Sequence, residues 1–328
     1  MLETLLGQGR PLLADGATGT NLFAMGLSSG DNPELWNVDH PDRILALHQS
    51  FVDAGADIIL TKSFGGNCRR LMLHQLEGRV RELNRVAAEI AREAAGRAGR
   101  PVVVAGSVGP TGDLLAPLGP ISEDEAFEAF VEQIEGLKEG GADVVWIETM
   151  SAPEEIRAAA RAAGAVGMPY TVTASFDTAG KTMMGVAPAA LAALTAQFDP
   201  KPLAFGANCG VGASDLVMSI LAMTQAQPGA AVIAKANAGI PQWHGAHIHY
   251  SGTPELMAAY AGLAVDAGAR IVGGCCGSTP GHLAAMRHAL DTHAAGACPD
   301  LEQVVAALGP LVAPPSTAQG QTRSRRRG

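Results

Sequence analysis

Residues 123–150, EDEAFEAFVEQIEGLKEGGADVVWIETM, predict one helix followed by one strand. The segment Glu123–Glu139 is a helix candidate, and Ser122 directly before it is a residue type that caps helices. Gly140 and Gly141 suit the left-handed conformation that closes a helix. The apolar, β-branched run that follows is typical of a buried strand.

The same helix-to-strand unit recurs along the chain. Gly-Gly-Ala-Asp at 140–143 is echoed by Ala-Gly-Ala-Asp at 54–57 and by Ala-Gly-Ala-Arg at 267–270. Eight short apolar runs can be counted: PLLADGATG (11–19), DIILTKSFG (57–65), PVVVAGSVG (101–109), DVVWIETM (143–150), PYTVTASF (169–176), PLAFGANCG (202–210), AVIAKANAG (231–239) and RIVGGCCG (270–277). Helices are predicted between them, among others at 42–54, 79–98, 123–139, 153–165, 256–267 and 282–293.

This alternation predicts parallel pairing, and eight such units close most readily into a single (β/α)8 TIM barrel spanning residues 1–312. An open, doubly wound sheet is the alternative. No strand-helix turn carries a dinucleotide or Walker motif, since Gly106, Gly109 and Gly112 have the wrong spacing, and a nucleotide cofactor is therefore not predicted. Residues 313–328, rich in Pro, Ser, Gln and Arg, are predicted to form a disordered, solvated tail, although its basic end could contact RNA or an acidic partner.

Composition excludes several classes of function. The chain has 328 residues, 47% of them hydrophobic, a net charge of -9 and a pI near 5.5, so nucleic acid is not an expected partner. No apolar run approaches the roughly 20 residues of a membrane helix, and no signal peptide is recognisable, so we expect a cytoplasmic protein. Its five cysteines are then expected to be free thiols or metal ligands. Homo-oligomerisation is left open by the sequence.

Three cysteines fall where a barrel of this type places its active site, at the carboxyl ends of strands. Cys209 ends the sixth run in GANCG, and Cys275 and Cys276 end the eighth in GGCCG, whereas Cys68 and Cys298 lie in helical or tail context. A single cysteine is usually a small packing residue. Two adjacent ones cannot both pack on one face of a strand, and three thiolates with one vacant position are typical of catalytic zinc.

Three segments resemble the signature sequences of the homocysteine S-methyltransferases: DGATGTNL (15–22), GANCG (206–210) and GGCCGSTPGH (273–282). Further segments are similar to the bacterial betaine-homocysteine methyltransferase branch: WNVDHPDRI (36–44), TKSFGG (61–66), GSVGPTG (106–112), WIETMSAPEE (146–155), SFDTAGKTMMG (175–185) and KANAGIP (235–241). The resemblance runs from about Leu12 to Leu311. It implies a barrel that transfers a methyl group to the thiol of L-homocysteine, giving methionine, with Zn²⁺ bound by Cys209, Cys275 and Cys276.

The resemblance also implies the amino acid pocket. Asp15, Gly16 and Ala17 match the segment that holds the amino acid end of homocysteine, and Glu148 matches the carboxylate that faces the substrate ammonium. Asn208 and the stretch Asn237 to Gly239 match pocket positions. Independently, a carboxylate after the apolar run VVWI needs a cationic partner, which a substrate ammonium would supply. Asp15 taken alone is equally well explained as a turn or cap residue.

The methyl donor must carry a good leaving group, which onium compounds supply. The resemblance favours glycine betaine, with S-methylmethionine or dimethylsulfoniopropionate as alternatives. Trp36 and Phe64 could receive such a cation on an aromatic face, and a core position is the alternative for both. Positions that are aromatic in betaine-specific relatives are Gly65 and Thr149 here.

Other interpretations remain open at this point. Lys62 or Lys235 could form a Schiff base in a barrel lyase, although a surface or ion-paired lysine is the simpler interpretation. A non-catalytic zinc-binding protein is a second alternative. His244, His247 and His249 could hold a second metal, but a partly exposed loop is favoured because no carboxylate accompanies them. The chain has no room for a folate or cobalamin domain, so a large methionine synthase is not predicted.

Overall fold

A computed structural model describes residues 1–28, 30–244 and 247–312, without the side chains of residues 241–249. The strands are β1 (Leu12–Leu13), β2 (Ile58–Leu60), β3 (Val103–Val108), β4 (Val144–Met150), β5 (Tyr170–Ala174), β6 (Ala204–Cys209), β7 (Val232–Ala236), β8 (Pro241–His244), β9 (His247–Tyr250) and β10 (Ala269–Gly274). The helices are α1 (Leu2–Leu6), α2 (Gly19–Ala24), α3 (Trp36–Asp39), α4 (Pro41–Asp53), α5 (Cys68–Leu71), α6 (Val80–Gly96), α7 (Glu123–Glu139), α8 (Pro153–Val166), α9 (Pro188–Thr195), α10 (Ala213–Ala226), α11 (Pro254–Asp266), α12 (Pro280–Thr292) and α13 (Leu301–Leu308). Short 3-10 helices occupy Pro33–Leu35, Met72–His74 and Glu77–Arg79.

Eight parallel strands form one sheet in the order β1-β10-β7-β6-β5-β4-β3-β2. The two ends of this order meet, because Ala14 forms a parallel bridge with Ile58 and the Asp15 N–H donates to the Ile58 carbonyl at 2.9 Å. The sheet is therefore a (β/α)8 barrel, as predicted, and the alternative of an open doubly wound sheet is wrong.

Helix α7 and strand β4 match their predicted bounds closely. Ser122 caps α7 in a reciprocal capping box with Glu125, and the face that carries Phe130 and Ile134 is buried against the barrel. The chain then turns at Gly141, which has a φ of 91° and so uses the conformational freedom expected of a glycine at this point. In this way α7 packs on the barrel, and the turn at Gly141 leads the chain directly into β4.

The amino-terminal end of the barrel is closed by apolar and ionic contacts. Leu2 and Leu5 of α1 belong to a buried cluster with Trp146 and other apolar residues of the barrel strands. Beside it, the Asp57 carboxylate accepts hydrogen bonds from Arg10 at 2.8 and 2.9 Å, from Arg287 at 3.2 Å and from a strand N–H at 2.9 Å. No helix among the described residues is both long and apolar enough to cross a bilayer.

Residues 241–250 differ from the predicted loop. The backbone of residues 241–244 and 247–250 forms two antiparallel strands, in which Gln242 pairs with His249. The side chains of His244, His247 and His249 lie outside the described part of the structure, so the second-metal hypothesis is not tested. The predicted tail, 313–328, also lies outside the described residues.

Candidate active site

A cavity of about 570 Å³ opens at the carboxyl ends of the barrel strands. Predicted site residues on its wall are Gly16, Ala17, Phe64, Glu148, Cys209, Cys275 and Cys276. The cavity is also lined by residues that were not predicted to bind homocysteine or its methyl donor, among them Glu34, Lys62, Arg70, Ser107 and Lys235. The volume suits small-molecule ligands.

The three cysteines of β6 and β10 converge on this cavity. Their sulfur atoms all lie within 4.8 Å of one another, and the Cys209 and Cys276 sulfurs are 3.8 Å apart. Thiolates placed tetrahedrally about 2.3 Å from zinc lie about 3.8 Å from each other, so these residues fit the ion. Hydrogen bonds from the Cys209 and Cys275 thiols lower the pKa of Cys276, which makes that sulfur the most readily ionised.

Local backbone geometry brings the sulfurs together. Cys209 has a φ of 61°, a left-handed conformation that is uncommon for a residue with a side chain and turns the end of β6. At the end of β10, a Cβ on Gly274 would lie 2.2 Å from the Ser278 hydroxyl, and after the cysteine pair one on Gly277 would lie 2.3 Å from the Tyr250 ring. The glycines around the cysteine pair are therefore required by close packing.

Glu148 presents a carboxylate to the cavity at the end of β4. It is 8% exposed, and its Oε1 accepts a hydrogen bond from Ser107 Oγ at 2.5 Å. Burial raises its pKa to about 7, against the opposing influence of Lys235 and Ser107. This carboxylate can therefore accept further hydrogen bonds from an external cation.

Asn208 binds its protein neighbours. Its Oδ1 accepts from the Thr149 N–H at 2.9 Å and from Thr173 Oγ1 at 2.7 Å, and its Nδ2 donates to Thr149 Oγ1 at 2.8 Å. The same Nδ2 lies 3.8 Å from Cys275 Sγ. Asn208 is not on the cavity wall in the described structure. It joins the end of β4, next to Glu148, to the thiols.

Asn237 and Gly239 are also absent from the described cavity wall. Asn237 Nδ2 donates to the Gly210 carbonyl at 2.8 Å, beside Cys209. A Cβ on Gly239 would meet the Gly252 nitrogen at 2.5 Å, so a glycine is needed there for packing. Both positions support the backbone near the thiols.

Asp15 lies beneath the cavity. It is 1% exposed, its Oδ1 forms an ion pair with Lys235 Nζ at 2.7 Å, and its Oδ2 accepts from the Leu60 N–H at 2.7 Å. Burial raises the pKa of Asp15, whereas Lys235 and the Leu60 N–H lower it. Within the described structure, only the Lys235 partner of this pair reaches the cavity wall. The placement of Asp15 therefore does not support direct contact between its carboxylate and a substrate ammonium.

A second buried ion pair joins Glu34 Oε1 and Lys62 Nζ at 3.0 Å, and the same oxygen accepts from the Gly65 N–H at 3.0 Å. Sequence reasoning missed Glu34, because it lies in a short 3-10 helix and carries no motif. Its partner Lys62 gave the only signal: a lysine after a buried strand needs an anion nearby.

These pairs bear on the Schiff-base hypothesis. Lys62 is paired with Glu34 and Lys235 with Asp15. Although burial opposes it, attraction to Asp15 and Glu148 raises the pKa of Lys235. A lysine held in a buried ion pair is a poor nucleophile, and neither lysine fits a Schiff-base role.

Trp36 does not contribute to the cavity. It is 5% exposed within the hydrophobic core, packs edge-to-face on His40 at 4.7 Å, and has the Arg43 guanidinium 5.2 Å from its ring centre. This placement does not support the predicted contact of Trp36 with an onium donor. Phe64, the other aromatic candidate, does line the cavity.

The fold and the cavity together define a TIM barrel with a candidate three-thiol metal site at the carboxyl ends of its strands. The sequence model for the family described as homocysteine S-methyltransferase matches residues 12–290. The chain belongs to this homocysteine S-methyltransferase family, as its signature segments predicted.

Known relatives agree with this assignment. The chain is 32% identical over 293 residues to the methionine synthase of Mycobacterium tuberculosis, and 31% identical over 300 residues to that of Mycobacterium leprae. These alignments cover 84% and 86% of this chain but only 24% of either synthase, so the chain spans about a quarter of their length. The metallated crystal structure of the Escherichia coli homocysteine methyltransferase MmuM superposes with a TM-score of 0.73 at 26% identity, covering 88% of this chain and 99% of that one.

Proposed function

We propose that residues 1–312 form a catalytic domain that transfers a methyl group from an onium donor to the thiol of L-homocysteine, giving methionine. The observation that carries the proposal is the convergence of three sulfurs within 4.8 Å on a cavity that also holds a buried carboxylate. Family membership supports the acceptor, and the similarity to methionine synthases supports the product.

Cys209, Cys275 and Cys276 would hold Zn²⁺, which supplies a means of ionising the substrate thiol at neutral pH, where a free thiol with a pKa of about 8.5 is mostly protonated. Glu148 would accept the substrate ammonium. Gly16 and Ala17 line the same cavity and would contact the carboxyl end of homocysteine. The Ala17 N–H already donates to Ser278 Oγ at 3.0 Å, which fixes this turn beside Cys275.

Asn208 would act by positioning rather than by contact with substrate. Its bonds hold Thr149, and with it Glu148, at a fixed distance from the end of β6. Asn237 would support the turn after Cys209 in the same way.

The transfer would be a direct, in-line displacement. A sulfur-carbon bond forms while the bond from carbon to the donor's positive nitrogen or sulfur breaks, and that electron pair leaves with the donor atom. The chain contributes by aligning the two reactants and by excluding water from the cavity.

Glycine betaine is the donor we propose first, with S-methylmethionine and dimethylsulfoniopropionate as alternatives. Phe64 is an aromatic side chain on the cavity wall, and its presence there supports a cationic donor.

A donor panel tests the proposal. The zinc-loaded protein is incubated with homocysteine and each onium compound, and methionine is quantified alongside bound metal. We expect about one zinc per chain, and loss of both zinc and methionine in the Cys275→Ala/Cys276→Ala double variant. The matched control is Cys68→Ala/Cys298→Ala, which alters two thiols outside the cavity and should keep both properties.

Two results would contradict the proposal. Methionine formation at the parental rate by the Cys275→Ala/Cys276→Ala variant would exclude the thiol mechanism. Stoichiometric zinc without turnover of any donor would instead favour a non-catalytic zinc-binding protein.

A further inference from the structure

Lys235 enters the cavity from directly beneath the thiols. In the barrel register it pairs with Asn208 on one side and with Gly273 on the other, so the cysteines of β6 and β10 follow within one and two residues. A Cβ on Gly273 would lie 3.1 Å from Lys235 Cγ, and the glycine therefore leaves room for the lysine chain. A ligand whose sulfur binds at the thiols has its other end close to this side chain.

The Lys235 ammonium keeps hydrogen-bonding capacity toward the cavity. Of its three N–H donors, one meets Asp15 Oδ1 at 2.7 Å. Its second described contact is a weak one with the Trp146 ring, whose centre is 5.8 Å away. Although burial opposes it, attraction to Asp15 and Glu148 raises the pKa of Lys235, so this side chain is a cation at neutral pH.

The two buried lysines of the cavity differ in what they present to a ligand. Lys62 and its partner Glu34 both lie on the cavity wall, so a ligand meets both charges. Lys235 also lies on the wall, but its partner Asp15 lies beneath it, fixed by the Leu60 N–H at 2.7 Å. At this point the described cavity therefore presents a positive charge.

The cavity also presents a negative charge close to Lys235. Glu148 lines the same cavity, and although burial raises its pKa, Lys235 acts on it strongly enough to oppose that rise. An α-amino acid carries its ammonium and its carboxylate on one carbon atom. A neighbouring carboxylate and ammonium on the protein match both of these groups.

The backbone turn after β1 has limited capacity for a substrate carboxylate. The Ala17 N–H already donates to Ser278 Oγ at 3.0 Å, and the Ser278 hydroxyl donates to the Cys275 carbonyl at 2.6 Å. This N–H is therefore committed to the fold. A carboxylate beside the turn gains a stronger partner from a cationic donor than from another neutral one.

We propose that Lys235 binds the α-carboxylate of homocysteine while Glu148 accepts the ammonium, with Asp15 holding the lysine in position. This inference rests on the proposed function and adds both a substrate-binding residue and a requirement on the acceptor, which must be a thiol that carries a carboxylate. An aminothiol without that group brings its ammonium next to Lys235 with no anion to balance the two like charges.

The comparison of L-homocysteine with L-homocysteinamide tests the inference, because the amide keeps the thiol, the ammonium and the shape but lacks the carboxylate charge. Both dissociation constants are measured by calorimetry on the zinc-loaded protein without a methyl donor. We expect the wild-type protein to bind homocysteine about 10- to 100-fold more tightly than the amide, as for a charge-assisted hydrogen bond. This preference should vanish in Lys235→Met.

Lys235→Met leaves Asp15 buried without its partner, so the double variant Asp15→Asn/Lys235→Met is measured too. The matched control is Glu34→Gln/Lys62→Met, which removes the other buried ion pair of the cavity and should keep the preference. Both ligands are compared on the same protein, so a partial loss of folding or of bound zinc cancels in the ratio of the two constants.

An unchanged ratio in both Lys235 variants overturns the inference and assigns the carboxylate to the turn at Gly16 and Ala17. A loss of the preference in the Glu34→Gln/Lys62→Met control alone, or equal affinity of the wild-type protein for both ligands, overturns it as well. None of these results touches the proposed function, which fails separately if the wild-type protein makes no methionine from any donor.

Discussion

Two buried carboxylates at opposite ends of the barrel, Asp57 and Glu148, are used in different ways. Asp57 is 4% exposed and accepts hydrogen bonds from Arg10, Arg287 and a strand N–H, so its charge is satisfied within the fold. Glu148 is buried to a similar degree but has one hydroxyl partner and a pKa raised to about 7. The comparison shows that burial alone does not mark a functional carboxylate; incomplete pairing next to a cavity does.

The largest effect is expected from Asp57→Ala. Removing this carboxylate leaves three arginines (Arg10, Arg100 and Arg287) and a strand N–H without their shared partner, which should lower the free energy of unfolding by about 3 kcal/mol. Urea denaturation of the variant and the wild-type protein measures this decrease in the free energy of unfolding. Methionine formation per folded molecule should not change, and a selective loss of activity would remove the distinction between the two carboxylates.

Glu148→Gln should instead lose activity and keep its stability. We expect kcat/KM for homocysteine to fall about 100-fold, the equivalent of one charge-assisted hydrogen bond to the substrate ammonium, with stability kept or increased at pH 8. Glu155→Gln is the matched control, because Glu155 is also buried and accepts from the Thr111 N–H and hydroxyl without lining the described cavity. Equal activity losses in the two variants would show that Glu148 acts only through the fold.

The pH dependence of stability tests whether the Glu148 carboxyl has a raised pKa in the folded protein. The folded-state pKa of Glu148, about 7, lies above its ordinary value of 4.5, so the contribution of this group to stability is greatest below pH 4.5 and is lost as pH rises through 7. Relative to Glu148→Gln, the wild-type protein should lose about 2 kcal/mol between pH 5 and pH 8. Parallel stability curves of the two proteins would show that Glu148 titrates normally.

The smallest effect concerns Thr149, next to Glu148. Its φ of 63° is strained for a β-branched residue, and its hydroxyl accepts from Asn208 at 2.8 Å. Both Thr149→Gly and Thr149→Ala lose this bond, but only glycine relieves the strain. Thermal unfolding should therefore give the glycine variant a free energy of unfolding about 1 kcal/mol higher than that of the alanine variant. This order is opposite to the usual one in a strand.

Much of the fold was predictable, because each strand carries a local signal. Helix α7 and strand β4 lie where Ser122, Gly141 and the apolar run VVWIETM place them. The β8–β9 pair was missed: the stretch with His244, His247 and His249 was interpreted as a loop of partly exposed histidines, although its tryptophan, isoleucine and tyrosine favour a strand.

The site was predictable where residue type and strand position coincide. The cysteines and Glu148 lie at or near the carboxyl ends of their strands, and the cavity brings them together. Sequence alone could not decide whether Trp36 contacts a donor or lies in the core, and the structure places it in the core. An aromatic residue near the rim can pack inward as easily as outward, and only tertiary contacts decide between these orientations. Glu34 was missed because its partnership with Lys62 joins residues separated by 28 positions and leaves no local pattern.

The separate construction of the thiol site and of the cavity wall near β2 has a consequence for how new variants of this barrel could arise or be engineered. The thiol site depends on distant segments that fit one another closely, whereas the cavity wall near β2 is built largely from two short stretches, residues 32–34 and 60–65. Exchanging those two stretches between homologous barrels should therefore transplant the preference for one methyl source to another while leaving the acceptor chemistry intact.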